Sequence, residues 1–361
     1  MKIVSIVGAR PQFVKVAAVS RALQGHFQDI LVHTGQHYDH GMSAIFFEEL
    51  GIAAPQYHLG IGSGTHGSQT GQMLAAIEEV LLKENPGAVI VYGDTNSTLA
   101  GALAAVKLHI PLAHVEAGLR SFNKKMPEEV NRRLTDHASD LLFCPTVTAV
   151  ENLAHEGIEK GVHLTGDVMY DALLYHSRPG RERSAILKTL SLAPKAYLLA
   201  TIHRAENTDD PGRLGALIEA LAKAGERLVL PLHPRTRETL KGTPRAKRLE
   251  EAPHITVTEP LGYLDMLALE RHARLILTDS GGVQKEAYLF GVPCITLRDE
   301  TEWVETVASG ANVLTGADTE KILAALGTHR AGAGAFPPVY GDGRASEKIA
   351  ALMAGIHGEA P

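Results

Sequence analysis

The sequence predicts an α/β protein of two doubly wound parallel sheets, and three observations carry that expectation. Short apolar runs of strand length alternate with segments of helical period almost from end to end, the pattern of sheets covered on both faces by helices. With 361 residues the chain outgrows one ordinary hydrophobic core. The alternation pauses around Gly166-Asp167-Val168, passes through the polar run Arg178-Pro179-Gly180-Arg181-Glu182-Arg183, and restarts at Tyr197. Two sets of similar size imply one domain over residues 1–167, rejoined by a C-terminal helix at 345–361, and a second over 168–344, the two facing a cleft.

In the first half, strands are expected at residues 3–7, 30–33, 88–92, 112–116, 141–143 and 163–164, with helices such as 13–23, 69–83, 96–108, 128–138 and 146–156 between them. The opening run reads as a first strand and turn, not a signal peptide, because its apolar stretch is short and no small-residue cleavage site follows. In the second half, strands are expected at 197–201, 228–230, 256–257, 275–277, 294–296 and 312–314, before a last helix at 346–354 that crosses back to the first domain. A 45% hydrophobic, 21% charged composition with net charge −6 argues against a nucleic-acid or anionic-membrane partner. No run of about 18 apolar residues occurs, so a cytoplasmic protein without a membrane span is expected. Cys144 and Cys294, each beside apolar residues and a proline, are expected as buried free thiols.

Ligands of doubly wound sheets bind beyond the carboxyl ends of the strands, so chemistry is sought just after each apolar run. The organising stretch is Thr278-Asp279-Ser280-Gly281-Gly282-Val283-Gln284-Lys285-Glu286, a strand that breaks at small residues and restarts as a helix. Unpaired backbone N–H groups and the positive dipole end favour a phosphate there, Ser280 can cap the helix, and Gly281 and Gly282 admit close approach. Glu286, further in, is placed to accept hydrogen bonds from a ribose. An ordinary strand-to-helix turn is the bland alternative. After the first strand, Gly8-Ala9-Arg10-Pro11-Gln12 puts a guanidinium at a helix start, a poor place for a cation unless an anion binds, and Lys15 can reinforce it.

Asp94 follows the strand at 88–92 and is either a helix cap or a functional acid. Glu116, a carboxylate at the apolar end of a strand, is costly unless paired or functional. Glu128 with Arg132, and Glu129 with Arg133, are spaced for salt bridges along a helix, and only one pair can face the cleft. His203 directly follows a strand, as donor to a phosphate, as acid, or as a structural histidine; Arg235, after His233-Pro234, is a further phosphate candidate. His37 and His40 lack a partner cluster, so no metal is expected. The Gly-rich stretch 60–68 is expected as a mobile lid.

With these residues in hand, the sequence resembles the non-hydrolysing UDP-N-acetylglucosamine 2-epimerases over essentially its whole length. The resemblance lies in Gly8-Ala9-Arg10-Pro11-Gln12, Thr34-Gly35-Gln36-His37, Gly93-Asp94-Thr95, His114-Val115-Glu116-Ala117-Gly118-Leu119-Arg120, Pro127-Glu128-Glu129 with Asn131-Arg132, Thr201-Ile202-His203-Arg204, and Thr278-Asp279-Ser280-Gly281-Gly282 with Glu286. It implies two Rossmann-like domains in the GT-B arrangement and a reversible inversion at C2 of UDP-GlcNAc to UDP-ManNAc. UDP leaves by anti elimination, giving 2-acetamidoglucal, and is added back on the other face, with no cofactor. The resemblance also implies a homodimer and a place in cell-surface polysaccharide synthesis. It assigns acid/base roles to Asp94, Glu116 and Glu128, a supporting role to Arg132, a place near the leaving diphosphate to His203, and nucleotide contacts to Arg10, Ser280, Gly282 and Glu286.

Two positions depart from the family pattern. The run Gln36-His37-Tyr38-Asp39-His40-Gly41-Met42 lacks the residues many bacterial members use for a second, activating UDP-GlcNAc, and Leu261 replaces a polar residue near uracil. The competing readings are a hydrolysing epimerase that releases ManNAc and UDP, a GT-B glycosyltransferase, and a non-enzymatic sugar-nucleotide sensor. A glycosyltransferase has no need of three carboxylates in the first domain, and a sensor has no need of Asp94, Glu116 and His203.

Overall fold

The central apolar runs become strands buried on both faces, while those at the sheet edges, such as Ile255–Thr258, stay partly exposed. In the first, Ile3, Val4, Ile6 and Val7 are all 0% exposed, so the run reads as continuous and not alternating. The computed structural model of the protein describes residues 1–36, 47–177, 184–329 and 336–356. It divides into two units, Met1–Ser177 with Pro338–Pro361, and Arg178–Pro337.

The first unit holds a parallel sheet of β1 (Lys2–Val7), β2 (Gln28–His33), β3 (Tyr57–His58), β4 (Ala88–Tyr92), β5 (Leu112–Val115), β6 (Leu141–Cys144) and β7 (Val162–Leu164), in the order β3-β2-β1-β4-β5-β6-β7. Val4 pairs with Ile30 on one side and Val89 on the other, so the strand order reverses between β1 and β4. The second unit repeats the plan with β8 (Leu198–Thr201), β9 (Leu228–Pro231), β10 (Ile255–Thr258), β11 (Leu275–Thr278), β12 (Cys294–Thr296) and β13 (Asn312–Leu314), in the order β10-β9-β8-β11-β12-β13. Its reversal falls between β8 and β11. The period of two along each strand sorts this unit's core. Leu198, Ala200, Leu275 and Leu277 pack with Leu214, Leu217 and Leu221 on one face, while Leu199, Ile276 and Cys294 pack with Leu269 and Ala287 on the other. The α/β class and the two doubly wound sheets are therefore as expected.

Several details differ. β3 spans only Tyr57 and His58, too short an apolar signal to stand out in sequence. β5 stops at Val115, because Glu116 adopts φ +74°. The helix Val168–His176 packs with the first unit, past the boundary expected after residue 167. The Arg21 guanidinium lies 3.5 Å from the centroid of the Tyr175 ring, and the Asp171 carboxylate accepts from the backbone N–H groups of Ala345 and Ser346 at 3.1 and 2.6 Å, capping the returning helix Ala345–Gly355. The stretch expected as a lid is anchored: Ile61 N–H donates to Thr34 O at 2.8 Å, Gln69 donates to Gly62 O at 2.8 Å, and a helix begins at His66. His37 and His40, with the rest of the 37–42 run, and the polar run 178–183 lie outside the described residues. No helix among the described residues is long and apolar enough to cross a membrane.

Cys144 and Cys294 are free and buried, as expected. Burial raises both thiols, Cys294 to about 12. Neither forms thiolate at neutral pH, so neither should react with an aromatic disulfide reagent in the native state, and both should react once guanidinium unfolds the protein. Rapid labelling of the native protein, counted by absorbance, would contradict this burial.

Candidate active site

In the first unit, four strand ends are tied together by side chains that the βα turns supply. β1 is followed by the turn Gly8-Ala9, and the helix Arg10–Leu23 begins with Pro11 near its start. Gln12, 1% exposed, accepts the backbone N–H groups of Gly8 and Ala9 at 2.7 and 2.9 Å, and donates to Tyr92 O at 2.7 Å at the end of β4. Ser97 donates to Gln36 at 2.6 Å and shares a hydrogen bond with Thr34 at 2.8 Å. Gly8 sits against this knot, where an added Cβ would lie 2.1 Å from Ser97 Oγ and 2.2 Å from Thr34 Oγ1.

Above the knot, the Lys15 ammonium forms a buried ion pair with the Glu116 carboxylate. Glu116 is 8% exposed, and its left-handed backbone costs a non-glycine residue roughly 1–2 kcal/mol, strain of the kind held where geometry matters. Gly93, at φ +63°, admits the pair: its missing Cβ would stand 3.0 Å from Lys15 Nζ and 3.6 Å from Glu116 Oε2. Beneath it, fully buried His114 bonds to Gly93 O through Nε2 and to Asp136 through Nδ1, both at 2.7 Å. Asp136 also accepts from Gly118 N–H at 3.1 Å and Arg120 at 2.7 Å.

Asp94, the next residue, pairs with Arg132 Nη2 at 2.5 Å, and Asn131 donates to its backbone carbonyl at 3.0 Å. The helix cap is Thr95, which accepts from Thr98 N–H at 3.3 Å, so Asp94 is released from the capping alternative. Arg132 is 2% exposed and also reaches Glu129 at 3.3 Å. The expected Glu129–Arg133 pair is not made. Glu129, 1% exposed, instead accepts from Ser121 and Phe122 N–H groups at 2.8 and 3.2 Å, while Arg133 turns to Glu156 at 3.3 Å. Glu128 lies half-buried one turn before Arg132 on the same helix, and Arg10 is half-buried at its helix start.

In the second unit the centre is Asp279, at the end of β11 and 0% exposed. It accepts from the backbone N–H groups of His203 at 3.1 Å and Arg204 at 3.0 Å, and from Asn207 at 3.1 Å. His203 Nδ1 stands 3.3 Å from the same carboxylate, which fixes the ring. Ser280 caps the helix Gly281–Leu289, accepting from Val283 N–H at 3.5 Å. Gly281 is needed because a Cβ would meet Glu302 Oε1 at 2.5 Å and Trp303 Nε1 at 3.0 Å. Glu302 thus already brings negative charge to this helix start, balanced by buried Arg298 at 3.0 Å and by Arg204 at 3.9 Å. Arg235 is bonded to Asp209 at 2.6 Å and to Thr208 at 2.9 Å, which holds Asp209 below the usual carboxylate range.

The structure thus gathers Lys15, Glu116, Asp94 and Arg132 at the β4 and β5 ends, and His203 and Ser280 at the β8 and β11 ends. Sequence reasoning passed over Gln12, His114, Asp279 and the Arg298–Glu302 pair. The last had a signal, since the charged run Arg298-Asp299-Glu300 follows β12 just as the other candidates follow their strands.

Fold and site define a doubly wound α/β protein that concentrates ion-paired carboxylates at one sheet's switch point and a capped helix N-terminus at the other's. A family model described as UDP-N-acetylglucosamine 2-epimerase matches residues 21–354. A Methanococcus maripaludis protein named UDP-N-acetylglucosamine 2-epimerase homolog is 53% identical over 354 residues, covering 98% of this chain and 99% of its own. A Pseudomonas aeruginosa protein named UDP-2,3-diacetamido-2,3-dideoxy-D-glucuronate 2-epimerase is also 53% identical, over 367 residues, with 98% and 99% covered. The crystal structure of Methanocaldococcus jannaschii UDP-GlcNAc 2-epimerase in complex with UDP-GlcNAc and UDP is similar at TM-score 0.92 and 45% identity, covering 98% of this chain and 99% of that one. The chain belongs to the UDP-N-acetylglucosamine 2-epimerase family.

Gly8→Ala forces a methyl into the Ser97–Thr34 contact and should destabilise the protein by about 1–3 kcal/mol, the usual cost of overpacking. Urea denaturation reads it; an unchanged midpoint would mean the knot yields freely.

Proposed function

We propose that the protein interconverts UDP-GlcNAc and UDP-ManNAc without net hydrolysis. The carrying observation is the buried Lys15–Glu116 pair, on a strained backbone beside the Asp94–Arg132 pair. Family membership supports the epimerase class, and the relatives' names support a UDP-linked acetamido sugar.

In this reading a carboxylate of the set Asp94, Glu116 and Glu128 takes the C2 proton. The C2–H electron pair becomes the C1=C2 bond, and the C1–O bond breaks with its electrons to the β-phosphate of UDP. Re-addition returns a proton to the opposite face of C2 and the diphosphate to C1. The proton leaves and returns with no net redox change, so no nicotinamide is called for. Lys15 holds the Glu116 carboxylate in place, and Arg132 does the same for Asp94. His203 and the Ser280-Gly281-Gly282 helix start stabilise charge growing on the leaving diphosphate, with Arg10 and Arg235 as further cations and Glu286 on the ribose. A cytoplasmic homodimer completes the proposal.

A second reading follows from the Pseudomonas aeruginosa relative: the same C2 inversion on a diacetamido uronate. Incubation of the enzyme with each sugar nucleotide, with products resolved by chromatography, separates the readings. The account expects a UDP-GlcNAc and UDP-ManNAc mixture; stoichiometric free ManNAc would establish a hydrolase, and turnover of the uronate alone would establish the second reading.

Glu116→Gln should lower turnover by roughly 10²–10⁴-fold, the usual weight of an acid/base group, with UDP affinity retained in calorimetry. The reverse pattern, affinity lost and turnover kept, contradicts the role. Ser280→Ala and Arg10→Ala should instead raise the UDP dissociation constant.

A further inference from the structure

Two of the candidate carboxylates follow neighbouring strands, Asp94 after β4 and Glu116 after β5, and one buried ring ties those strand ends together. Gly93, between β4 and Asp94, is held at both of its polar atoms by β5. Its N–H donates to Val115 O at 3.0 Å, and its carbonyl oxygen lies 2.7 Å from His114 Nε2. His114 and Val115 are the last two residues of β5 before Glu116.

The partners of His114 fix how many protons its ring carries. A carbonyl oxygen only accepts, so Nε2 must carry a proton to bond Gly93; a bare nitrogen would set lone pair against lone pair. Nδ1 lies 2.7 Å from Asp136 Oδ1, so a second proton stands between ring and carboxyl. Asp136 Oδ2 accepts from Arg120 Nη1 at 2.7 Å and from Gly118 N–H at 3.1 Å, and both contacts favour the carboxylate. The second proton therefore belongs to the ring, and His114 is an imidazolium.

The surrounding charges leave room for it. Arg120 divides its guanidinium between Asp136 and Glu156, which it meets at 2.9 and 2.8 Å, and these hydrogen bonds hold Glu156 below the usual carboxylate range. Arg120 alone thus does not balance the buried Asp136, and the imidazolium supplies the remaining positive charge. Arg133 and His137, both well exposed, each reach Glu156 at 3.3 Å. Burial keeps the nearby Cys144 thiol neutral, and Lys15 is paired with Glu116 on the other side of Gly93.

We propose that His114 is a positioning residue for the epimerisation: as a doubly protonated ring it clamps the Gly93 carbonyl to the end of β5, and so sets the spacing of the Asp94 and Glu116 carboxylates. This inference rests on the acid/base reading of those carboxylates and adds a residue to it. The clamp is a charge-assisted hydrogen bond, stronger than a neutral one. It holds Gly93 at φ +63°, the conformation that leaves space for the Lys15–Glu116 pair beside it. A displacement of about 1 Å at reacting groups costs roughly 10²-fold in rate, so the spacing matters.

The test reads the ring and the reaction separately. Nitrogen NMR of ligand-free protein carrying isotope-labelled histidine, at neutral pH, should show a buried ring with both nitrogens protonated, and His114→Gln should lack that signal. In Asp136→Asn the amide can donate to Nδ1, so the ring should fall to a single proton. A singly protonated His114 in the wild type overturns the inference. In the reaction, His114→Gln should lower kcat roughly tenfold to a hundredfold, the weight of a hydrogen bond to a charged group, while the UDP dissociation constant and the circular dichroism stay at their wild-type values. Wild-type kcat in this variant overturns the inference, as does a joint loss of kcat and UDP binding, the mark of a merely structural role. If His114→Gln does not fold, the wild-type ring signal, assigned through Asp136→Asn, decides. A wild type that shows the doubly protonated ring yet turns over no sugar nucleotide overturns the acid/base reading, and the positioning role with it.

Discussion

A parallel sheet buried on both faces can show polar backbone only at its strand ends, and every buried polar group there must find a partner. This protein meets that constraint with three buried side chains. Gln12 joins the β1 turn to the end of β4, His114 holds Gly93 O from beneath, and Asp279 collects the N–H groups that follow β8. Each is a close neighbour in sequence of a candidate site residue: Gln12 lies two residues after Arg10, His114 two before Glu116, and Asp279 directly before Ser280. The hydrogen bonds that satisfy the sheet thus fix the backbone of the turns that carry the candidate residues.

The charges above this floor are arranged in pairs. Glu116 answers Lys15, Asp94 answers Arg132, and Glu302 answers Arg298. Buried ion pairs are weak contributors to stability, since desolvation offsets most of their attraction. Their placement at the carboxyl ends of strands, with backbone strain at Glu116, is better explained by chemistry than by stability.

Much of this was legible in sequence, and the limits have physical causes. The strands announced themselves because burial on both faces demands unbroken apolar runs, as in residues 3–7 and 88–92. Glu116 stood out because a carboxylate there is costly. The Glu129–Arg133 pair failed because helical spacing says which residues are neighbours on one helix, not that the Ser121 and Phe122 N–H groups compete for Glu129. Asp94 could not be separated from a cap until Thr95 was seen to cap.

The central claim is that carboxylates at the β4 and β5 ends exchange the proton at C2 of a UDP-linked acetamido sugar. Proton NMR of UDP-GlcNAc incubated with the enzyme in deuterated buffer tests it most directly. The account predicts that deuterium replaces the C2 proton in both UDP-GlcNAc and UDP-ManNAc as they reach a mixture. Formation of UDP-ManNAc with the original C2 proton retained would contradict it.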